Sequence, residues 1–253
     1  GIMVYHTPWY PHGEIMADTF RKMADFEQVM AIKWCQPRSY EYEEMEALAA
    51  EQAVRNALSR VEDLDPWGME LLVELTEIPA PPFMEEVRAA RFAELLRETG
   101  ADSVWIDAEG NVVGLRRGRG GDRTVAFGAH LDTVFPEGTD VTVRMRGDTL
   151  YAPGVGDDTR GLIVVLTVLR AMEEANVETP DDVLFIGTVG EEGLGDLRGM
   201  KHLFRDGADP IDAWIEIELS TETHVTSIGF WTRTMGTSAQ IFSLRVITDR
   251  GEI

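Results

Sequence analysis

Three short stretches carry side chains whose types and spacing can do chemistry together: His130-Leu131-Asp132, Asp157-Asp158 and Glu191-Glu192. In the first, an extended backbone sends residues i and i+2 to one side. That suits an imidazole ligand whose tautomer and basicity a carboxylate fixes. Asp157 and Asp158 follow the glycine-rich turn Gly154-Val155-Gly156 and directly precede the apolar run 162–171. Aspartate there also serves as a helix cap at the positive end of the dipole. Glu191 and Glu192 are adjacent carboxylates before Gly193-Leu194-Gly195, where desolvation and like-charge repulsion are costly without a cation. One of such a pair can bind metal while the other, left free, takes a proton from water. Taken singly, each stretch has a plainer explanation: a core histidine paired with an aspartate, a capped helix, a solvated acidic loop. Together they describe one metal-binding hydrolytic centre.

Such a centre has to be held by regular elements, and the pattern supplies them. Strands are expected over 104–107, 111–116, 124–129, 183–189 and 213–219, with a hairpin over 142–146 and 149–151. Helices are expected over 65–78, 85–99, 161–175 and 197–204. The first starts with Asp65 as N-cap and Pro66 in its first turn, and the second stops at Gly100. At the third, Asp158 reads as a backbone-positioning neighbour of Asp157 and Thr159 as the cap. Strands alternating with helices, several apolar on both faces, predict an α/β domain with a mainly parallel sheet flanked by helices. In open α/β sheets reactive residues collect beyond the C-terminal strand ends, which is where His130, Glu191, Glu192 and Glu218 fall.

Residues 1–64 read as a separate N-terminal helical extension, with helical apolar spacing at Met16-Phe20-Met23 and over 45–61 after an aromatic, proline-containing start. His6 and His12 there read as solvated, and the single cysteine, Cys35, as a small buried hydrophobe rather than part of a disulfide or zinc cluster. The net charge of -22 argues against nucleic acid and anionic membrane surfaces, and it fits cation binding. No apolar run reaches the roughly 20 residues needed to cross a bilayer, and the N-terminus lacks a signal-peptide h-region. A cytoplasmic location is the expectation, with a removed leader left open by Gly1 at the start.

Gly128-Ala-His-Leu-Asp-Thr-Val134, Gly154-Val-Gly-Asp-Asp-Thr-Arg-Gly161, Gly190-Glu-Glu-Gly193 and Arg198-Gly-Met-Lys-His-Leu203 occur in that order. They resemble the zinc-peptidase and amidohydrolase family of carboxypeptidase G, aminoacylase, peptidase T and succinyl-diaminopimelate desuccinylase, over about residues 65–218. The resemblance implies a two-zinc centre that hydrolyses the amide bond of small peptides or N-acyl amino acids. It makes His130, Asp157, Glu192 and Glu218 metal ligands, with Asp157 as the bridge. Glu191 becomes the general base, Asp132 orients His130, and a cis peptide precedes Asp158. Glu216 points the same way as Glu218 and stands as the other choice for that ligand. His202 falls inside the match and reads as helix structure.

The same resemblance implies a smaller lid and dimerisation domain, a homodimer, and a late histidine ligand. The chain ends at Ile253 with no histidine after His224. The expectation is therefore a catalytic domain over 65–253, truncated before the lid, with weak or no activity of its own. A different class of reading is a non-catalytic metal-binding or scaffold fragment of that fold. Arg160 and Arg233 are the arginines that could meet a substrate carboxylate.

Overall fold

The computed structural model describes residues 2–6, 29–34, 51–147, 149–217 and 231–233. Its elements in chain order are β1 (Ile2–His6), β2 (Val29–Trp34), α1 (Gln52–Asp63), α2 (Asp65–Thr76), α3 (Glu86–Thr99), β3 (Ser103–Ile106), β4 (Val112–Arg116), β5 (Thr124–His130), β6 (Arg144–Arg146), β7 (Thr149–Tyr151), α4 (Thr159–Glu174), β8 (Asp182–Thr188), α5 (Arg198–Leu203), β9 (Ala213–Glu216) and β10 (Trp231–Arg233).

Six strands form one sheet in the order β10-β9-β5-β8-β4-β3. The fold is α/β, with β5 parallel to both β8 and β9 at the centre. The flanks are antiparallel: β4 against β8, β3 against β4, and β10 against β9. The sheet is therefore mixed rather than mainly parallel. Apolar runs report burial on both faces and carry no strand direction, which the connections decide. The tight turn in which Asp107 Oδ1 accepts from the amides of Glu109, Gly110 and Asn111 makes β3 and β4 a hairpin. The parallel centre is joined instead by long connections carrying α4 and α5.

Helices cover both faces. On one, Leu72 and Leu75 of α2, Phe92 and Leu96 of α3, and Leu162, Val165, Leu166 and Leu169 of α4 pack with Leu131 and Phe185. On the other, Met200 of α5 joins Val113, Ala126, Ile186 and Trp214. Burying each large side chain fully contributes roughly 1.5–3 kcal/mol, so α4 is fastened chiefly by this apolar stripe. The Trp214 ring lies across β5, where a Cβ on Gly128 would stand 2.1 Å from its Cζ2. Only glycine permits that close approach, two residues before His130.

Residues 1–64 hold more than helix. β1 and β2 form a separate two-stranded parallel pair, with Met3 opposite Ala31 and Val4 opposite Ile32. Their β-branched and aromatic content favours strand, in stretches outside the helical spacing at 16–23 and 45–61. The predicted helix around 16–23, His12 and Cys35 lie outside the described residues. Helix α1 runs into α2 with only Leu64 between, and Arg60 Nε approaches Glu174 Oε2 of α4 at 3.7 Å. Leu64, not Asp65, occupies the N-cap of α2, and no side chain caps that helix.

Candidate metal centre

Strand β5 delivers His130 into a buried position at the sheet's C-terminal edge. Its Nδ1 lies 2.9 Å from the backbone carbonyl of Asp132, and its Nε2 lies 2.9 Å from Asp157 Oδ1. An N–H at Nδ1 can donate to that carbonyl, which directs Nε2 toward Asp157. Burial alone lowers the imidazole pKa. Hydrogen bonds to Asp132 and Asp157, with the charges of Asp158 and Asp132, outweigh it and hold the group well above its ordinary value.

The Asp132 carboxylate, wholly buried, stands 3.7 Å from His130 Nδ1 and makes its close contacts elsewhere. Oδ1 accepts from the Glu191 amide and Oδ2 from the Glu192 amide, each at 2.9 Å. Desolvation opposes its ionised form, but the neighbouring His130 and those two amides prevail, keeping the pKa below the usual carboxylate value. Asp132 thus ties the β5 exit to the β8 exit.

The peptide bond between Asp157 and Asp158 is cis. Asp158 is the N-cap of α4: Oδ1 accepts from Gly161 N and Oδ2 from His130 N, both at 3.1 Å. A Cβ on Gly161 would fall 2.2 Å from that Oδ1, so glycine leaves room for the cap. The cap expected of Thr159 therefore belongs to its neighbour. Thr159 is the first helical residue, and its buried hydroxyl has no hydrogen-bond partner among the described residues. Burial pushes the Asp158 carboxyl well above its ordinary value, with Asp157 and Glu216 adding to the rise against the charge and amide of His130.

After β8, Gly190 turns the chain with φ +60°, and its missing Cβ leaves space for Arg198, whose Cγ would be 2.7 Å away. The base of the following loop is pinched by Arg198 N to Gly190 O at 3.2 Å and Gly199 N to Val189 O at 3.0 Å. This presents Glu191 and Glu192 to His130. Ligand-type atoms of the three residues all lie within 4.8 Å of one another.

Of the residues singled out from sequence, His130, Asp132, Asp157, Glu191 and Glu192 converge at this edge. Glu216 ends β9, and its Oε2 accepts from Trp214 Nε1 at 3.1 Å. Glu218 and His224 lie outside the described residues. His202, on α5, sits apart, with Nε2 3.7 Å from Asp107 Oδ2. Glu85, Arg88 and Asn111 were not singled out from sequence, and Arg198, inside a quoted motif, was given no role. Buried Glu85 accepts from Gly190 N at 3.1 Å and pairs with Arg198 Nη2 at 2.9 and 2.8 Å. Asn111 Oδ1 accepts from Val189 N, and its Nδ2 donates to Asp107 Oδ2 and Gly199 O. A signal existed for Arg88: it shares the spacing of Phe92 and Leu95, a charge on an apolar helical stripe.

Fold and site together define an α/β domain that gathers ligand-type side chains beyond the C-terminal ends of its central strands. The particular family model that matches is Peptidase family M20/M25/M40, over residues 126–233 of the chain. It is 37% identical over 126 residues to the putative [LysW]-lysine/[LysW]-ornithine hydrolase of Pyrococcus abyssi, covering 50% of this chain and 34% of that protein. It is 31% identical over 96 residues to carboxypeptidase G2 of Pseudomonas sp., covering 37% of this chain and 23% of the relative. Among solved structures, aminopeptidase PepT from Bacillus cereus has the same fold at 22% identity and a TM-score of 0.52, covering 61% of this chain and 43% of its own. The matched part thus spans about a third or less of the curated relatives' length. No helix among the described residues is long and apolar enough to cross a membrane.

Proposed function

We propose that the protein carrying this chain hydrolyses the amide bond of small peptides or N-acyl amino acids at a two-zinc centre. The observation that carries the reading is the convergence of His130, Glu191 and Glu192 within 4.8 Å, beside an Asp157 oxygen 2.9 Å from His130 Nε2. One imidazole among several carboxylates is a donor set that suits zinc. In this reading His130, Glu192 and Glu218 would hold the ions, with Asp157 as the ligand they would share. Zinc, when bound, supplies a Lewis acid that polarises the scissile carbonyl and acidifies water.

The chain's own residues do the rest. Asp132 accepts the amides of Glu191 and Glu192 and so aims both carboxylates. Glu191 takes the proton of the attacking water on its carboxylate. It then delivers that proton to the departing nitrogen as the carbon–nitrogen bond breaks, leaving a carboxylic acid and an amine. Asp158 fixes His130 through its backbone amide while capping α4. The names of the two curated relatives, a hydrolase and a carboxypeptidase, accord with amide hydrolysis.

The test is turnover of a dipeptide and N-acyl amino acid panel with added Zn²⁺, for wild type and Glu191→Gln. The expectation is a loss of about 10²–10⁴-fold in kcat for the variant with zinc stoichiometry unchanged. A variant that hydrolyses at the wild-type rate removes Glu191 from the role of base. A chain that binds no zinc removes the reading altogether.

A further inference from the structure

Two buried charges at the start of α3 reach the two strand ends that build the centre. Glu85, at the N-cap, accepts from Gly190 N at 3.1 Å, one residue before Glu191. Arg88 Nη1 donates to the carbonyl of Leu131 at 2.9 Å, between His130 and Asp132. The two residues are 2% and 0% exposed, and residues three apart lie on one face of the helix. We propose that Glu85 and Arg88 are positioning residues: a brace that sets the separation between His130 and the Glu191–Glu192 pair. The inference rests on the metal-centre reading for what is positioned, though not for the brace itself.

The contacts form a closed circuit. Asp132 joins the β5 exit to Glu191 and Glu192, Glu85 returns from Gly190 to α3, and Arg88 returns from α3 to the β5 exit. Each arm is anchored behind. Arg88 Nε and Nη2 donate to the Ile78 carbonyl at 3.0 and 2.6 Å. Glu85 is held by Arg198, whose Nη1 donates to the carbonyl and carboxylate of Glu109 at 2.8 and 3.0 Å. Buried charge is an expensive way to obtain stability, and an apolar replacement of similar volume often serves as well. What it supplies here is direction, since both bonds end on backbone atoms adjoining the proposed ligands.

The alternative role for Glu85, as a partner that merely stabilises Arg198, predicts that Glu85→Gln is disturbed at least as much as Glu85→Asp. Glu85→Asp shortens the reach to Gly190 and Arg198 alike. Glu85→Gln keeps the reach and removes the charge. NMR-detected amide exchange in the metal-free chain should show Gly190, Glu191 and Glu192 exchanging about tenfold faster in Glu85→Asp and close to wild type in Glu85→Gln. Arg88→Met, with Arg91→Ala as a surface control, should show the same acceleration. In competition with a chromophoric chelator, Glu85→Asp and Arg88→Met should bind Zn²⁺ roughly 10–100-fold more weakly. Exchange in Glu85→Gln as fast as in Glu85→Asp, or wild-type exchange in both Glu85→Asp and Arg88→Met, overturns the brace. If wild type takes up no Zn²⁺, the proposed function falls and the exchange rates alone decide the brace.

Discussion

Helix α3 carries charged side chains in two settings, and the contrast separates charges that decorate from charges that hold. Along its outer face Arg91 meets Glu74, Glu94 and Glu98, whose side chains are 42%, 60% and 61% exposed. At its start Glu85, 3% exposed, meets Arg198 and the backbone of Gly190. The outer network has more partners, yet water and salt screen each of them, and exposed pairs contribute roughly 0–1 kcal/mol. The inner pair has fewer partners and little solvent, so losing one member strands the other. Number of ion pairs is a poor guide here; what matters is whether water can replace the lost partner.

The largest effect expected from breaking that contrast is at Arg198. Arg198→Met leaves the Glu85 carboxylate buried without its cation and should cost roughly 3 kcal/mol, read from denaturant unfolding with an unchanged m-value. A cost below about 1 kcal/mol would put the inner pair in the same class as the outer one. Adding Glu85→Gln to that variant removes the stranded charge and should recover about half the loss, measured as a coupling energy in a double-mutant cycle. Next comes Asn111→Ala, which leaves the Val189 amide and the Gly199 carbonyl without their side-chain partner. About 2 kcal/mol is expected, checked by the same unfolding curves. The smallest effect belongs to Arg91→Ala, within about 1 kcal/mol and shrinking further in high salt. A larger, salt-insensitive loss there would show that the outer network is structural.

The residues that converge at the strand ends were legible because extended strands put i and i+2 on one side and because strand ends collect such groups. His130, Asp132, Glu191 and Glu192 needed no tertiary information beyond that. The helices flanking the sheet were legible from apolar spacing and from Gly100 as a stop. The antiparallel flanks were not, since an apolar strand reads alike in either direction. Capping of α4 went to Thr159 on residue type, whereas the structure gives it to Asp158, whose second oxygen also takes the His130 amide. Glu85 and Arg198 were hidden for a related reason: in sequence they resemble any solvated charge at a helix start. Only the fold puts them beside Gly190.

The position of β5 between β8 and β9 bears on how the molecule comes into being. The hairpin β6–β7 and the whole of α4 separate β5 from its partner β8 in the chain, and α5 intervenes before β9. Long-range parallel pairing has to close those loops before its contacts reward it, which makes it slow. A nascent chain extended only through α4 possesses His130, Asp132 and the Asp157–Asp158 bond but lacks the carboxylate pair opposite. The cluster of His130, Glu191 and Glu192 therefore forms only once the central strands have found their order.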